Sequence, residues 1–282
     1  MSAIPAPSPQ PINELPAALP VTRWLDPDES GAPPRLAVFL DYDGTLTPIV
    51  NDPDAALLPE ATRQALSTLA QRTAVAIVSG RDLDDVRAKV AVDGLAYAGS
   101  HGFDILHPDG SRHQLATELT PALDAAEAAL DERLAGIRGA RVERKRFAIA
   151  VHDRQVDDPD DRARIAAVCA EVAADHPQLR PTGGKRIHEL RPDIDWDKGR
   201  AIDALLEELE LSDHRPVYLG DDLTDEDGFR AVLAEGGWAV VVRGEEHDRP
   251  TIAQAVLDDT DQARELLEQL AAALPGTDTT DA

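Results

Sequence analysis

The chain has 282 residues, 43% hydrophobic but only 4% aromatic, and 53 acidic side chains against 28 lysines and arginines give a formal charge of −25. That balance excludes non-specific attraction to nucleic acid or an anionic membrane, both of which need a basic face, and it suits a soluble protein carrying small ligands. The single cysteine, Cys169, excludes an internal disulfide and a cysteine-built metal site; with no membrane-length apolar run and no basic-then-apolar start, a cytoplasmic, monomeric protein is expected.

Residues 1–34 open with Pro5, Pro7, Pro9, Pro11, Pro16 and Pro20. That density supports neither a helix nor a paired strand, so a disordered leader is expected. Leu36–Leu40 is an unbroken apolar run, the pattern of a strand buried on both faces of a parallel sheet, and it runs into Asp41-Tyr42-Asp43-Gly44-Thr45. A helix from Pro59 and a strand at Ala74–Val78 follow, the strand closing in Ser79-Gly80-Arg81. Next come a helix carrying Leu83, Val86 and Val90 and a strand at 95–99. Ser100-His101-Gly102 then leads into 103–107. This βαβαβ alternation with short connections predicts a parallel sheet with crossover helices.

At Pro108-Asp109-Gly110 the pattern changes to a turn of the kind that joins antiparallel strands. A long helix carries Leu119, Leu123, Ala126, Leu130 and Leu134, and 147–154 alternates as a half-exposed strand. Asp158-Pro159 starts a second helix, and Gly183-Gly184 opens a strand at 185–190 with Lys185, Ile187 and Glu189 on one side. Residues 108–191 thus read as an α+β module inserted into a core of 35–107 and 192–274. The core resumes at Asp197-Lys198-Gly199 with a helix, then a strand at 216–219 that ends in Gly220-Asp221-Asp222-Leu223-Thr224-Asp225. A strand at Trp238–Val242 and a closing helix complete it, and 275–282 reads as a flexible tail.

The two acidic groups, Asp41/Asp43 and Asp221/Asp222/Asp225, fall at equivalent ends of two core strands, where the ligands of open α/β sheets sit. Converging carboxylates repel one another unless a hard cation lies between them, and Mg²⁺ is the natural one. A calcium loop fails on position, because counting from Asp41 its last ligand slot holds Asp52. A helix-cap role explains Asp41 or Asp225 singly but not both groups. Asp41 is placed to attack phosphorus and form an acyl phosphate. Asp43 is placed to protonate the leaving alcohol and then to activate water. Ser79 and Lys198, one of only four lysines, are placed to hold phosphoryl oxygens.

These segments resemble, in order and spacing, the four motifs of the haloacid dehalogenase (HAD) superfamily of phosphatases. With GSHGFDI, ERKRFAIAVHDR and GKRIHELRPDIDWDKG, the string GDDLTDED narrows the resemblance to the trehalose-6-phosphate phosphatase family. The resemblance implies a HAD-like Rossmannoid α/β core with an α+β cap, and Mg²⁺-dependent hydrolysis of trehalose 6-phosphate. Asp41 would be the nucleophile, Asp43 the general acid/base with its carbonyl also on the metal, and Asp221 the main metal ligand of its group. Asp222 and Asp225 would bind the metal or orient it. Thr45 would lie near the acid/base, with Gly80, Arg81 and Gly102 on the substrate side. His101 is a substrate contact or a structural turn histidine. In the cap, Lys145, Lys185 and Glu189 would contact the sugar, while His152 and Arg154 are substrate contacts or ordinary strand residues. Alternatives are another phosphosugar (sucrose phosphate, mannosyl-3-phosphoglycerate), phosphoryl transfer, or non-catalytic binding. The last is disfavoured because Asp41, Asp43, Lys198 and Asp221 are all present.

Overall fold

A computed structural model describes residues 7–25, 34–50, 52–184, 186–244 and 249–275. The chain divides into two compact units, Met1–His113 with Trp196–Ala282, and Gln114–Asp195. The second unit thus runs over 114–195 where the sequence reading has 108–191, since the turn at Pro108 and all but the last residue of the strand after it lie in the first unit.

In the first unit the chain runs β1 (Gln10–Pro11), β2 (Leu36–Leu40), α1 (Glu60–Ala70), β3 (Ala74–Val78), α2 (Leu83–Val90), β4 (Ala96–Gly99), β5 (Asp104–Leu106) and β6 (Arg112–Gln114). The second unit supplies α3 (Thr120–Leu134), β7 (Arg141–Lys145), β8 (Ala148–His152), α4 (Pro159–Asp175), β9 (Leu179–Gly184) and β10 (Ile187–Pro192). The first unit then continues with α5 (Lys198–Glu208), β11 (Arg215–Gly220), α6 (Asp225–Ala234), β12 (Trp238–Val242), β13 (Pro250–Thr251), β14 (Ala255–Leu257) and α7 (Thr260–Ala273).

The main sheet has the order β14-β12-β11-β2-β3-β4-β5-β6, parallel from β14 to β4 and antiparallel at β4/β5. All five residues of β2 are buried, and their alternation divides them between two cores. Leu36, Val38 and Leu40 pack with Leu66, Val86 and Leu267 from α1, α2 and α7. Ala37 and Phe39 pack with Ile202 and Phe229 from α5 and α6. Helices on both faces are what make an unbroken apolar strand stable. From β2 the chain winds to β3 and β4 on one side, and after the insertion to β11, β12 and β14 on the other. The reversal point lies between β2 and β11.

The leader departs from the sequence reading over 7–25. Ile12, Leu15, Ala18, Val21 and Trp24 are buried, β1 pairs with β13, and Ala18 N donates to Val256 O at 2.8 Å. Trp24 stacks on Trp238 with ring centroids 5.9 Å apart. Pro16 and Pro20 fall between these apolar residues, and the N–H groups that pair belong to Ile12 and Ala18, so the prolines do not remove them. Residues 1–6, 26–33 and 276–282 lie outside the described residues.

The second unit is a four-stranded antiparallel sheet of order β7-β8-β10-β9. Val142, Ile149, Val151 and Leu190 pack on one side with Leu123, Leu130, Ile165 and Val172 of α3 and α4. The strand read as half-exposed, β8, is interior and buried on both faces except at His152, because alanines at 148 and 150 sit between flanking strands. Among the described residues no helix is long and apolar enough to cross a membrane.

Candidate active site

The reversal point places two strand ends side by side. Leu40 pairs with Leu219, and Asp41 N donates to Leu219 O at 2.9 Å, which extends the pairing to the first aspartate. Asp221 leaves β11 next to it. Gly44 makes this approach possible. Its φ is +81°, and a Cβ there would lie 2.2 Å from Asp221 Oδ2, a distance that only glycine avoids.

Lys198 opens α5, and Asp197 caps that helix by accepting from Arg200 N at 2.9 Å. The helix dipole disfavours an ammonium there, but two buried carboxylates offset it. Lys198 Nζ lies 2.9 Å from Asp41 Oδ1 and 2.7 Å from Asp225 Oδ1. Burial pulls the Lys198 pKa down, yet Asp225 and Asp41 outweigh it and the net shift is upward. The lysine is held as an ammonium.

Carboxylate oxygens of Asp41, Asp221 and Asp225 lie within 4.8 Å of one another. Burial, and then repulsion among these neighbours, pushes the Asp41 and Asp221 pKa values well above the ordinary range despite Lys198. Three carboxylates this close with one ammonium between them are oxygen-only donors in excess of the local positive charge, which fits a hard divalent cation. Asp225 is built differently. Its Oδ1 accepts from Lys198 and from the Tyr218 hydroxyl, and its Oδ2 accepts the backbone N–H groups of Asp221 and Asp222 at 2.9 and 3.0 Å. Its acceptor positions are filled by groups that fix the loop.

The side chains of Asp43 and Asp222 are not in this cluster. Asp222 is exposed and accepts Thr224 N and Oγ1 at 2.8 and 2.7 Å, closing a turn. Asp43 is gripped by Arg81, with Nε to Oδ2 at 2.6 Å and Nη2 to Oδ1 at 2.7 Å. Arg81 Nη1 also meets Asp85 at 2.9 Å, and the guanidinium lies over the Tyr42 ring.

Ser79 is buried at the end of β3 and its Oγ accepts Arg81 N at 3.2 Å. His101 N donates to Ser79 O at 2.8 Å and Ser100 N to Arg81 O at 2.6 Å, so the 100–102 turn pins the Ser79–Arg81 loop. The His101 ring covers Gly80 so closely that a Cβ there would lie 2.8 Å from it, and Gly102 provides the turn with φ +93°. Thr45 is fully buried, and its Oγ1 has no hydrogen-bond partner among the described residues.

In the second unit, Lys145 Nζ meets Glu189 Oε1 at 3.0 Å, and Arg191 Nε approaches Glu189 Oε2 at 3.4 Å. His152 Nε2 lies 2.6 Å from Glu143 Oε2, a contact that lowers the Glu143 pKa. Arg154 is exposed in the turn after β8 rather than on the strand. Lys185 lies outside the described residues. The sequence reading had no place for Tyr218, whose hydroxyl anchors Asp225. The signal was there: a tyrosine inside a buried strand needs a partner for its hydroxyl.

A family profile described as trehalose-phosphatase matches residues 39–273. The chain belongs to the trehalose-phosphatase family. A relative from Mycobacterium marinum described as a trehalose-phosphate phosphatase is 43% identical over 270 residues, covering 93% of this chain and 67% of its own. The chain spans 67% of that relative's length and 62% of the length of a trehalose-phosphate phosphatase from Mycobacterium avium. Among solved structures, the C-terminal domain of the Candida albicans trehalose-6-phosphate phosphatase superposes with a TM-score of 0.73 at 25% identity, covering 93% of this chain and all of that one. A haloacid dehalogenase-like hydrolase from Bacteroides thetaiotaomicron shares the fold, with a TM-score of 0.60 at 15% identity. The trehalose-phosphatase family and the HAD-like α/β core read from the motifs are thus the family and fold of the chain.

Proposed function

We propose that this chain hydrolyses trehalose 6-phosphate to trehalose and phosphate, with Mg²⁺ as its metal and an acyl phosphate on Asp41 as its intermediate. The observation that carries the reading is Lys198 joined to Asp41 beside Asp221 at the β2/β11 crevice, in a chain of this family. An Asp41 oxygen attacks phosphorus in line, and the bond from phosphorus to the sugar O6 breaks. Asp43 gives its proton to the departing alkoxide. It then takes a proton from water, whose oxygen attacks phosphorus, and the P–O bond to Asp41 breaks to release phosphate. Lys198 and Ser79 hold the equatorial oxygens as charge builds on them. Asp41 and Asp221 would hold the Mg²⁺, which neutralises phosphoryl charge when bound. Asp225 fixes the lysine and the 221–222 backbone instead of binding the ion.

In this reading the second unit recognises the sugar, and its Lys145 and Glu189 supply hydroxyl contacts that a wrong sugar leaves unpaired. A phosphosugar panel with inorganic phosphate readout, with and without EDTA, tests the proposal. Preference for trehalose 6-phosphate and loss of turnover with EDTA are expected; preference for sucrose phosphate or mannosyl-3-phosphoglycerate would overturn the substrate. Asp41→Asn should reduce phosphate release to background with the circular dichroism spectrum unchanged.

A further inference from the structure

Behind the acidic cluster lies a buried arginine with no part in the chemistry above. Arg249 immediately precedes β13, and its side chain is 8% exposed. Its Nη2 donates to the backbone carbonyls of Asp221 and Asp222 at 3.0 and 2.9 Å. Its Nη1 meets Glu226 Oε1 at 2.5 Å, and the other Glu226 oxygen accepts Ile252 N at 3.0 Å. Asp221 and Asp222 are therefore held by both their backbone groups, the N–H groups by the Asp225 carboxylate and the C=O groups by the Arg249 guanidinium, and the peptide between them is fixed on both edges. Glu226 balances the arginine charge locally, so its leverage on the cluster is geometric. A planar guanidinium spans two adjacent carbonyls and a carboxylate at once, which a single ammonium does not.

We propose that Arg249 is a positioning residue for the metal site, locking the 221–222 backbone so that the Asp221 carboxylate faces Asp41. The inference rests on the reading of Asp41 and Asp221 as ligands of a divalent cation. Releasing the carbonyls frees the loop to rotate, and Asp221 then has to be reordered each time an ion binds. Partners that orient metal ligands typically account for 10–100-fold in affinity.

Mn²⁺ titration of the full chain by calorimetry tests this on wild type, Arg249→Gln and Arg249→Lys. Arg249→Gln is expected to raise the Mn²⁺ Kd about tenfold or more, and Arg249→Lys by less. Half-saturating Mg²⁺ for phosphate release should rise in parallel, with kcat at saturating metal within a few-fold of wild type. A purely structural role would lower the melting temperature of metal-free and metal-loaded protein equally and leave the Kd within twofold, and that result overturns the inference. Should Arg249→Gln not fold, Arg249→Lys decides: an unchanged Kd overturns the proposal and a raised one supports it. Failure of the wild type to bind Mn²⁺ would instead overturn the metal reading itself.

Discussion

Arg81 holds Asp43 by both carboxylate oxygens, at 2.6 and 2.7 Å, so each oxygen already accepts a guanidinium N–H. If Asp43 is the proton carrier of the proposed mechanism, the pair would have to open for it to act, and an incoming phosphoryl group would be a competing acceptor for the guanidinium. On the proposed mechanism Arg81 would restrain Asp43 until a phosphoryl group takes up the guanidinium. The role of Asp43 is tested by the leaving group. Asp43→Asn should slow trehalose 6-phosphate turnover by about 10²–10⁴. It should leave the first burst of 4-nitrophenol from 4-nitrophenyl phosphate nearly intact, because that alcohol departs without a proton. Equal losses on both substrates would remove Asp43 from proton transfer. Arg81→Lys keeps the charge without the fork and should weaken both substrates.

Metal binding should strengthen as pH rises. The Asp41 and Asp221 pKa values are raised, first by burial and then by neighbouring carboxylates. A raised folded-state value means that these groups add stability when protonated, in full below about pH 4, and that this is lost as pH climbs through the raised values. The upward shift of Lys198 leaves that sign unchanged, since its contribution persists to far higher pH. A divalent ion competes for the same oxygens as the protons. The rise in melting temperature produced by Mg²⁺ should therefore be larger near pH 8 than near pH 5. A shift that is equal at both, or larger at the lower pH, would show that the ion binds elsewhere.

Gly44 separates backbone strain from steric intrusion. An alanine at φ +81° costs about 1–2 kcal/mol as a left-handed residue, and its methyl would also press on Asp221 Oδ2. Gly94 has φ +80°, and a Cβ there would meet nothing within 4 Å. Gly44→Ala and Gly94→Ala should therefore lose similar stability in urea from strain alone, while only Gly44→Ala weakens Mn²⁺ binding. Equal Mn²⁺ affinity in the two variants would separate Gly44 from the cation site.

What was legible in the sequence was whatever a buried apolar run delivers to its own end. Asp41 and Asp221 each terminate such a run, and parallel pairing of β2 with β11 brings them together without further information. Lys198 was legible because a lone ammonium at a helix start calls for anions. The work of Asp225 was not, since an aspartate opening a helix looks like an ordinary cap until its oxygens are seen to accept four donors. The strand Arg141–Lys145 was missed because four of its five side chains are charged, and only pairing with β8 makes it extended. The strap over 7–25 was missed for the opposite reason: proline density hid an apolar residue at every third position.

In the proposed reading, sugar recognition belongs to the second unit. In its register, Glu143 on β7 and Glu189 on β10 flank Ala150, and Lys145 flanks Ala148. Charged side chains thus lie on either side of the buried Ala148 and Ala150, and in the proposed reading it is these charged groups that meet the sugar hydroxyls. Lys145 and Glu189 hold each other at 3.0 Å, which keeps both extended before substrate arrives. A hydrogen bond to a charged group contributes about 1.5–3 kcal/mol. Glu189→Gln and Lys145→Met should each raise KM for trehalose 6-phosphate by about 10–150-fold on that basis, with smaller effects on kcat. Turnover of 4-nitrophenyl phosphate, which has no sugar hydroxyls, should change far less than turnover of trehalose 6-phosphate. If both substrates lose activity to the same degree, these residues support the fold of the second unit instead of reading the sugar.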